Sequence, residues 1–216
     1  MGAGVEYHRR ELAFALDATH PSHSLPQLPR AAKSILDIGC GMGQTLMALR
    51  LNPGIEAWGV DPDMEAIMAG REIVGSNIHL VLGAGEHLPF PDASFDLVFS
   101  RVAMPYMDIP IALAEISRVL RPSGKFWAAL HPPGMLAKRI GEDFLRGQAR
   151  DLAFCCFVAL NSGSLRLFGR QFRIRGHCET VQTRAGFQKL LSASGLEPLP
   201  AGTRSNQLIV EAQKRQ

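Results

Sequence analysis

Cysteine is sparse in this chain and follows no pattern. Its four cysteines are Cys40, Cys155, Cys156 and Cys178, two of them adjacent and one inside a glycine-rich run. Neither a disulfide framework nor a zinc-ligand spacing can be built from them. No metal site is expected, and a reducing, cytoplasmic compartment fits best. The segment Met1 to Arg10 lacks the apolar core of a secretory signal. Its Met-Gly start also lacks the Ser or Thr of a myristoylation motif, because Glu6 stands there. The longest apolar run, Leu152 to Leu160, is too short to cross a bilayer, so a soluble protein without a membrane partner is expected. Charge of one sign is lacking too. The 23 Lys and Arg against 20 Asp and Glu leave only +3, which does not by itself imply nucleic acid.

What is present is ample apolar material. The 216 residues are 46% hydrophobic, enough to bury one sizeable core, and the length favours a single domain. Val5 to Thr19 reads as a helix with an imperfect apolar face, and the Pro-rich stretch His20 to Pro29 makes a linker. Residues 1–30 therefore form a helix and linker, and 31–216 the main domain. From Ser34 the pattern alternates strand and helix. Strands are expected at Ile35 to Ile38, Ala57 to Val60, Ile78 to Leu82, Leu97 to Ser100 and Lys125 to Leu130. Helices are expected at Thr45 to Arg50, Met64 to Val74 and Ile111 to Leu120. Strands this apolar imply an α/β, doubly wound, mostly parallel sheet covered on both faces, with ligands at the carboxyl ends of its strands. The rhythm breaks over an insertion at 132–182, which is basic and aromatic. Within it Glu142 to Leu160 reads as a helix, with a strand at Leu152 to Leu160 as the alternative. Thr183 is a suitable N-cap for a helix through Ser192 that ends near Gly195, and Leu208 to Ala212 is a closing strand.

The chemistry concentrates after the first strand, where Gly39, Gly41 and Gly43 precede a helix. Such glycines let the backbone turn sharply and let a ligand approach the peptide groups. Three-glycine turns also occur at purely structural strand–helix corners, so the surroundings matter. Asp37 precedes the loop at the strand's end. Asp61 closes the second strand, where an acid can accept both hydroxyls of a ribose or, alternatively, cap the helix that follows Pro62. A dinucleotide site wants Gly-x-Gly-x-x-Gly, with a pyrophosphate lying on the helix N-terminus. Here the third glycine comes early. A carboxylate beside the loop would repel a pyrophosphate and attract an ammonium group.

The runs Ile35-Leu-Asp-Ile-Gly-Cys-Gly-Met-Gly43, Gly59-Val-Asp61-Pro-Asp-Met64, Gly83-Ala-Gly-Glu-His-Leu-Pro-Phe-Pro-Asp-Ala-Ser-Phe-Asp96 and Leu120-Arg-Pro-Ser-Gly-Lys125 occur in that order. Together they resemble the successive motifs of class I S-adenosylmethionine-dependent methyltransferases, over roughly residues 30 to 131. The nearest subgroup is the small-molecule branch that includes quinone-biosynthesis C-methyltransferases. The resemblance implies a Rossmann-like methyltransferase sheet with an antiparallel C-terminal strand, an N-terminal lid helix and a capping insertion. It implies S-adenosylmethionine as cofactor and S-adenosylhomocysteine as product. By the same resemblance Gly39, Cys40, Gly41 and Gly43 pass beneath the methionine end, with Asp37 near its amino group. Asp61 and Pro62 lie at the ribose and Met64 against the adenine. Ala84, Gly85 and Glu86 lie at the adenine edge, and Ser100 and Arg101 reach the methionine carboxylate or the sulfonium region through main-chain groups. One departure stands out: the family has an acid where this chain has Ala84, which removes one hydrogen bond to the adenine amine and costs about 1 kcal/mol. Glu86 is a candidate to compensate.

Methyl transfer is an in-line displacement that needs an aligned acceptor and, where the acceptor carries a proton, a base. His131, just past the strand Lys125 to Leu130, is the candidate base; the ordinary alternative is a loop histidine bonded to backbone. Met104 and Tyr106, with His131, are candidates to line the acceptor pocket, although Met104 and Met107 suit plain packing. Tyr7 and Arg10 lie on the lid helix, with a solvated face as their default. Cys155 and Cys156 are expected in the core. The insertion's arginines suit a carboxylate or phosphate on an acidic acceptor, a solvated surface, a subunit contact or a weak RNA site. No RNA-methyltransferase run such as Asn-Pro-Pro-Tyr occurs, so nucleic acid is not expected. Monomer and homodimer both stay open. Two rival functions also remain: a non-catalytic methyltransferase-like binding protein and a nicotinamide-dependent oxidoreductase.

Overall fold

The computed structural model describes residues 3–20, 23–131, 134, 136–137, 149–174, 176–200 and 207–216. Its strands are β1 (Ser34–Ile38), β2 (Glu56–Asp61), β3 (Ile78–Leu82), β4 (Phe95–Arg101), β5 (Leu120–Leu130), β6 (Leu196–Leu199) and β7 (Leu208–Lys214). Its helices are α1 (Ala3–Leu16), α2 (Gln44–Ala48), α3 (Met64–Arg71), α4 (Ile109–Val119), α5 (Ala149–Phe168) and α6 (Arg184–Ala193), with a 3-10 turn at Met104–Tyr106. The sheet has seven strands in the order β3-β2-β1-β4-β5-β7-β6. β1 to β5 pair parallel, and β7 runs antiparallel between β5 and β6. The chain leaves β1 first toward β2 and β3, then crosses to β4 and β5. The carboxyl ends of β1 and β4 therefore meet at the switch point, where an open α/β sheet forms its crevice.

Both faces of the sheet are apolar because both are covered. Leu36, Ile38, Val98, Phe126, Ala128 and Leu130 face one side, packed with Ile109, Leu113 and Ile116 of α4 and Phe187 and Leu191 of α6. The alternate residues Ile35, Leu97, Phe99, Trp127 and Ala129 face the other, with Leu46 of α2 and Ile67 of α3. This two-residue alternation explains why the strands read as continuous hydrophobic runs.

Several boundaries differ from expectation. β5 begins at Leu120 rather than Lys125, taking Leu120 away from α4, and the β4–β5 register shifts between Phe95 and Leu97. Ser123 turns the chain there with a φ of 63°. β6 was not foreseen; it is a short edge strand, the one place where a Pro such as Pro198 does no harm to a sheet. α5 settles the helix-or-strand alternative as helix and continues to Phe168; the expected helix residues 142–148 lie outside the described residues. The helix is long and apolar enough, by length and composition alone, to cross a membrane, a test that the core helix of a folded domain also passes. One of its faces nonetheless packs on the domain: Cys155, Val158, Asn161 and Leu165 are buried. Thr183 does cap α6, its side chain accepting from the Gly186 N–H.

Candidate functional site

The glycine loop leaves β1 tied to β2, since the Gly39 and Cys40 N–H groups both donate to Val60 O, at 2.8 and 3.2 Å. Gly39 and Gly41 have φ of 75° and 54°, left-handed values at which a side chain is strained. There is also no room. A Cβ on Gly39 would collide with Ala103, and one on Gly41 would collide with the imidazole of His8. Gly43, at φ 81°, is the N-cap of α2. The loop is thus a bare backbone cradle between the end of β4 and the overlying helix α1, which rests on α2 and α3.

Three acids surround the cradle. Asp61 braces it: Oδ2 accepts the Gly41 N–H at 2.7 Å and Oδ1 accepts the Asp63 N–H at 2.9 Å. The cap of α3 is Asp63, which accepts from the Glu65 and Ala66 N–H groups, so the capping alternative for Asp61 falls to its neighbour. Asp37 is 1% exposed, and neither of its carboxylate oxygens has a hydrogen-bond partner among the described residues. Burial, reinforced by Asp61 and opposed by the Arg101 charge, pushes its carboxyl up to about 8. Desolvation disfavours the charged form of such a buried, unpartnered carboxyl. Cys40 is buried between these acids, and burial pushes its thiol well above its usual range.

Arg101 is the cation nearby. Its guanidinium, almost wholly buried, donates to Glu11 of α1 at 2.6 Å and to the Thr45 hydroxyl at 3.3 Å. The side chain, not only the main chain, therefore faces the crevice. Tyr7, His8, Glu11, Gln44, Asp61, Arg101 and Tyr106 line a cavity over the glycine loop. The Ser100 hydroxyl donates to Ile38 O at 2.8 Å, joining β4 to β1.

On the other flank, Pro62 and Met64 are exposed at the rim, Met64 at 49%. Ala84 pairs with His87 in an isolated antiparallel bridge, and Gly85 lies hard against Met107 and Ile38. Glu86 turns away from this edge. It accepts the Asp108 N–H at 3.0 Å and pairs with Arg173 at 2.7 Å, so its carboxylate is already committed where Ala84 leaves a gap.

Beyond the crevice, Tyr106 reaches a second cavity. Its hydroxyl lies 3.3 Å from His131 Nε2. Phe154, Cys155 and Val158 of α5, with Glu179 and Val181, complete the wall. Burial lowers His131 below its ordinary value of 6.5, which keeps the imidazole neutral at neutral pH. The return from α5 is strapped over this cavity: the Cys178 thiol donates to Tyr106 O at 3.0 Å and the Thr180 N–H to Pro105 O at 3.0 Å. Met104 does not line either cavity; it is fully buried in the core, as its packing alternative held. Cys156 also departs from expectation, being exposed on the outer side of α5 while Cys155 is buried. None of the described arginines of the insertion lines this second cavity. Lys138, Arg139, Arg146 and Arg175 lie outside the described residues.

Sequence reasoning named Tyr7 but missed His8, Glu11, Gln44 and Thr45. The available signal was the polar face of a helix already read as a lid, where Tyr7, His8 and Glu11 fall within one turn. Among the described residues, no group of three His, Cys, Asp or Glu side chains is placed to hold a metal ion.

Residues 36–128 match the family described as "Methyltransferase domain". The chain is 36% identical over 108 residues to the uncharacterized methyltransferase YcgJ of Bacillus subtilis, covering 47% of this chain and 42% of that protein. It is 32% identical over 137 residues to a demethylmenaquinone methyltransferase of Thermus thermophilus, covering 61% and 57% of the two. The chain thus spans about half the length of these curated relatives. In structure it resembles a Haloferax volcanii protein solved in complex with the Trm112 methyltransferase activator, with a TM-score of 0.69 and 20% identity over 99% of this chain and 94% of that one.

Proposed function

We propose that this chain, whose residues 36–128 match the family described as "Methyltransferase domain", uses S-adenosylmethionine to move a methyl group to a small, largely apolar acceptor and releases S-adenosylhomocysteine. In this reading residues 1–30 serve as lid and linker, 31–216 as the catalytic domain and 132–182 as the acceptor cap. The four free cysteines suit a reducing cytoplasm. The observation that carries the proposal is Asp37, a buried and unpartnered carboxyl beside a cradle that admits only glycine. These residues fit the cofactor: Asp37 would take its ammonium group, the Gly39 to Gly43 backbone its methionine stem, and Arg101 its carboxylate. Asp61 and the rim residues Pro62 and Met64 would hold the nucleoside, with Ala84 and Gly85 at the adenine edge. When bound, the cofactor supplies an electrophilic methyl on a positively charged sulfur.

The acceptor would lie in the cavity that Tyr106 shares with the cofactor crevice. Among the described residues its walls are apolar and aromatic, with Tyr106, His131, Cys155 and Glu179 as the ionisable groups. These walls suit an acceptor carrying an acidic X–H group. The Tyr106 hydroxyl would take the proton that this group gives up while passing its own to His131 Nε2, so that the imidazole holds the proton.

Calorimetric titration with S-adenosylmethionine, S-adenosylhomocysteine, NAD and NADP tests the reading. Micromolar binding of the first two, with no response to the dinucleotides, is expected. Silence from the first two would mean that Ala84 marks a lost adenine site and would favour a non-catalytic binding protein. A response to NAD alone would revive the oxidoreductase.

A further inference from the structure

Between Leu152 and Leu165 the helix α5 carries no charged residue. Only one side of it is used by the domain. Asn161 Nδ2 donates to the carbonyls of Phe172 and Cys178, both at 3.1 Å, and the Phe172 N–H returns to Asn161 Oδ1 at 2.7 Å. The Val181 N–H donates to the Ser162 hydroxyl at 2.9 Å. These bonds, with buried Cys155, Val158 and Leu165, fix which side faces inward. The helix cannot then leave the domain to span a bilayer without breaking them.

The opposite side is apolar and open. Ala153, Cys156, Leu160 and Leu167 recur at helical spacing along it. Leu160 and Leu167 are each 75% exposed, and the tip beyond the helix adds Phe168 at 74%, Phe172 at 59% and Ile174 at 56%. Isolated exposed apolar residues are ordinary, but five large ones between Leu160 and Ile174 concentrate at one end of the helix and its tip. Basic residues sit among them: Arg166, Arg170 and Arg173 are all exposed at this tip. Arg173 pairs with Glu86, and Asp151 is the sole acid within the helix, at its far end.

We propose that the outer face of α5 and its Phe168 to Ile174 tip dock on an anionic lipid membrane, with the helix lying in the interface plane. An apolar helical face flanked by arginines is the arrangement that enters the boundary between headgroups and acyl chains, the arginines reaching the lipid phosphates. Charge complementarity selects this occupant over a second copy, whose equivalent tip would bring like charges together. The inner face of the same helix contributes Phe154, Cys155 and Val158 to the cavity beside Tyr106 and His131. Docking would therefore set one wall of that cavity at the membrane. The expected absence of a membrane partner rested on the length needed to span, which is a different requirement from that for lying on a surface.

Flotation of the full chain with phosphatidylcholine vesicles and with vesicles enriched in phosphatidylglycerol tests this. The chain should float with the enriched vesicles and scarcely with the neutral ones, and added salt should release it. The pair R166A/R170A should lower partitioning about thirtyfold, and the pair L160S/F168S about tenfold or more. Circular dichroism and the S-adenosylmethionine titration should be unchanged in both, which separates this proposal from the one on catalysis. Absence of flotation with either vesicle would overturn it. If sedimentation then showed a dimer that L160S/F168S dissolves, the face would belong to a second copy. Flotation that neither pair weakens would also overturn it, by placing the membrane contact elsewhere.

Discussion

Replacing Asp37 with Asn should stabilise the unliganded protein, and by an amount that depends on pH in a defined way. The carboxyl titrates at about 8 in the native state against 3.8 for the ordinary value. Between those values the native state keeps a proton that the unfolded chain has released, so native stability falls as pH rises. The slope is about 1.4 kcal/mol per pH unit, which accumulates to roughly 4 kcal/mol at pH 7. Asn has nearly the same shape, carries no titrating group and buries an amide where the wild type buries a neutral acid. Urea unfolding of the two proteins across this range should give curves that meet near pH 4 and diverge above it, Asp37→Asn being the more stable. In the same variant, affinity for S-adenosylmethionine should drop about tenfold or more, because the ammonium group loses its counter-charge. Parallel stability curves, or a variant less stable than wild type at pH 8, would refute the assignment of Asp37 as a buried acid waiting for a cation.

Gly41→Val forces a side chain into the space of the His8 ring, and Asp61→Ala removes the acceptor for the Gly41 and Asp63 N–H groups. Each should weaken cofactor binding by about tenfold or more by calorimetry, and unchanged affinity in both would remove the site. His131→Ala should lower turnover about a hundredfold with cofactor affinity intact, and Tyr106→Phe should lower it too. Because burial lowers the His131 pKa, the wild-type rate should fall only on the acid side of 6.5, a limb that His131→Ala lacks. Glu11→Gln removes the charge partner of Arg101 across the lid. Amide exchange in α1 should quicken while that in the sheet stays unchanged, and equal protection in both proteins would show that the ion pair does not hold the lid.

The parts legible in the sequence are those whose cause is local. Gly39, Gly41 and Gly43 announce their backbone by what they lack. The sheet strands announce burial on both faces by their unbroken apolarity, and Thr183 announces a helix start through its own hydroxyl. The misses share a different cause. Glu11 meets Arg101 across 90 positions, and no spacing rule along α1 singles out Glu11 from the acid nearby at Glu6. Met104 and Tyr106 sit two apart on a 3-10 turn, yet one is core and the other faces both cavities. The backbone of this turn is tied to Cys178 and Thr180, which arrive from the far side of the insertion. Cys155 and Cys156 likewise separate only once the buried side of α5 is known, and Asn161, a polar residue in an apolar helix, fixes that side. The glycine cradle could be read from the sequence because it is a feature of one loop. The cavity beside it could be read only in part: Tyr106 and His131 follow strand ends and could be named, whereas Phe154, Val158, Glu179 and Val181 reach it from segments distant in the chain.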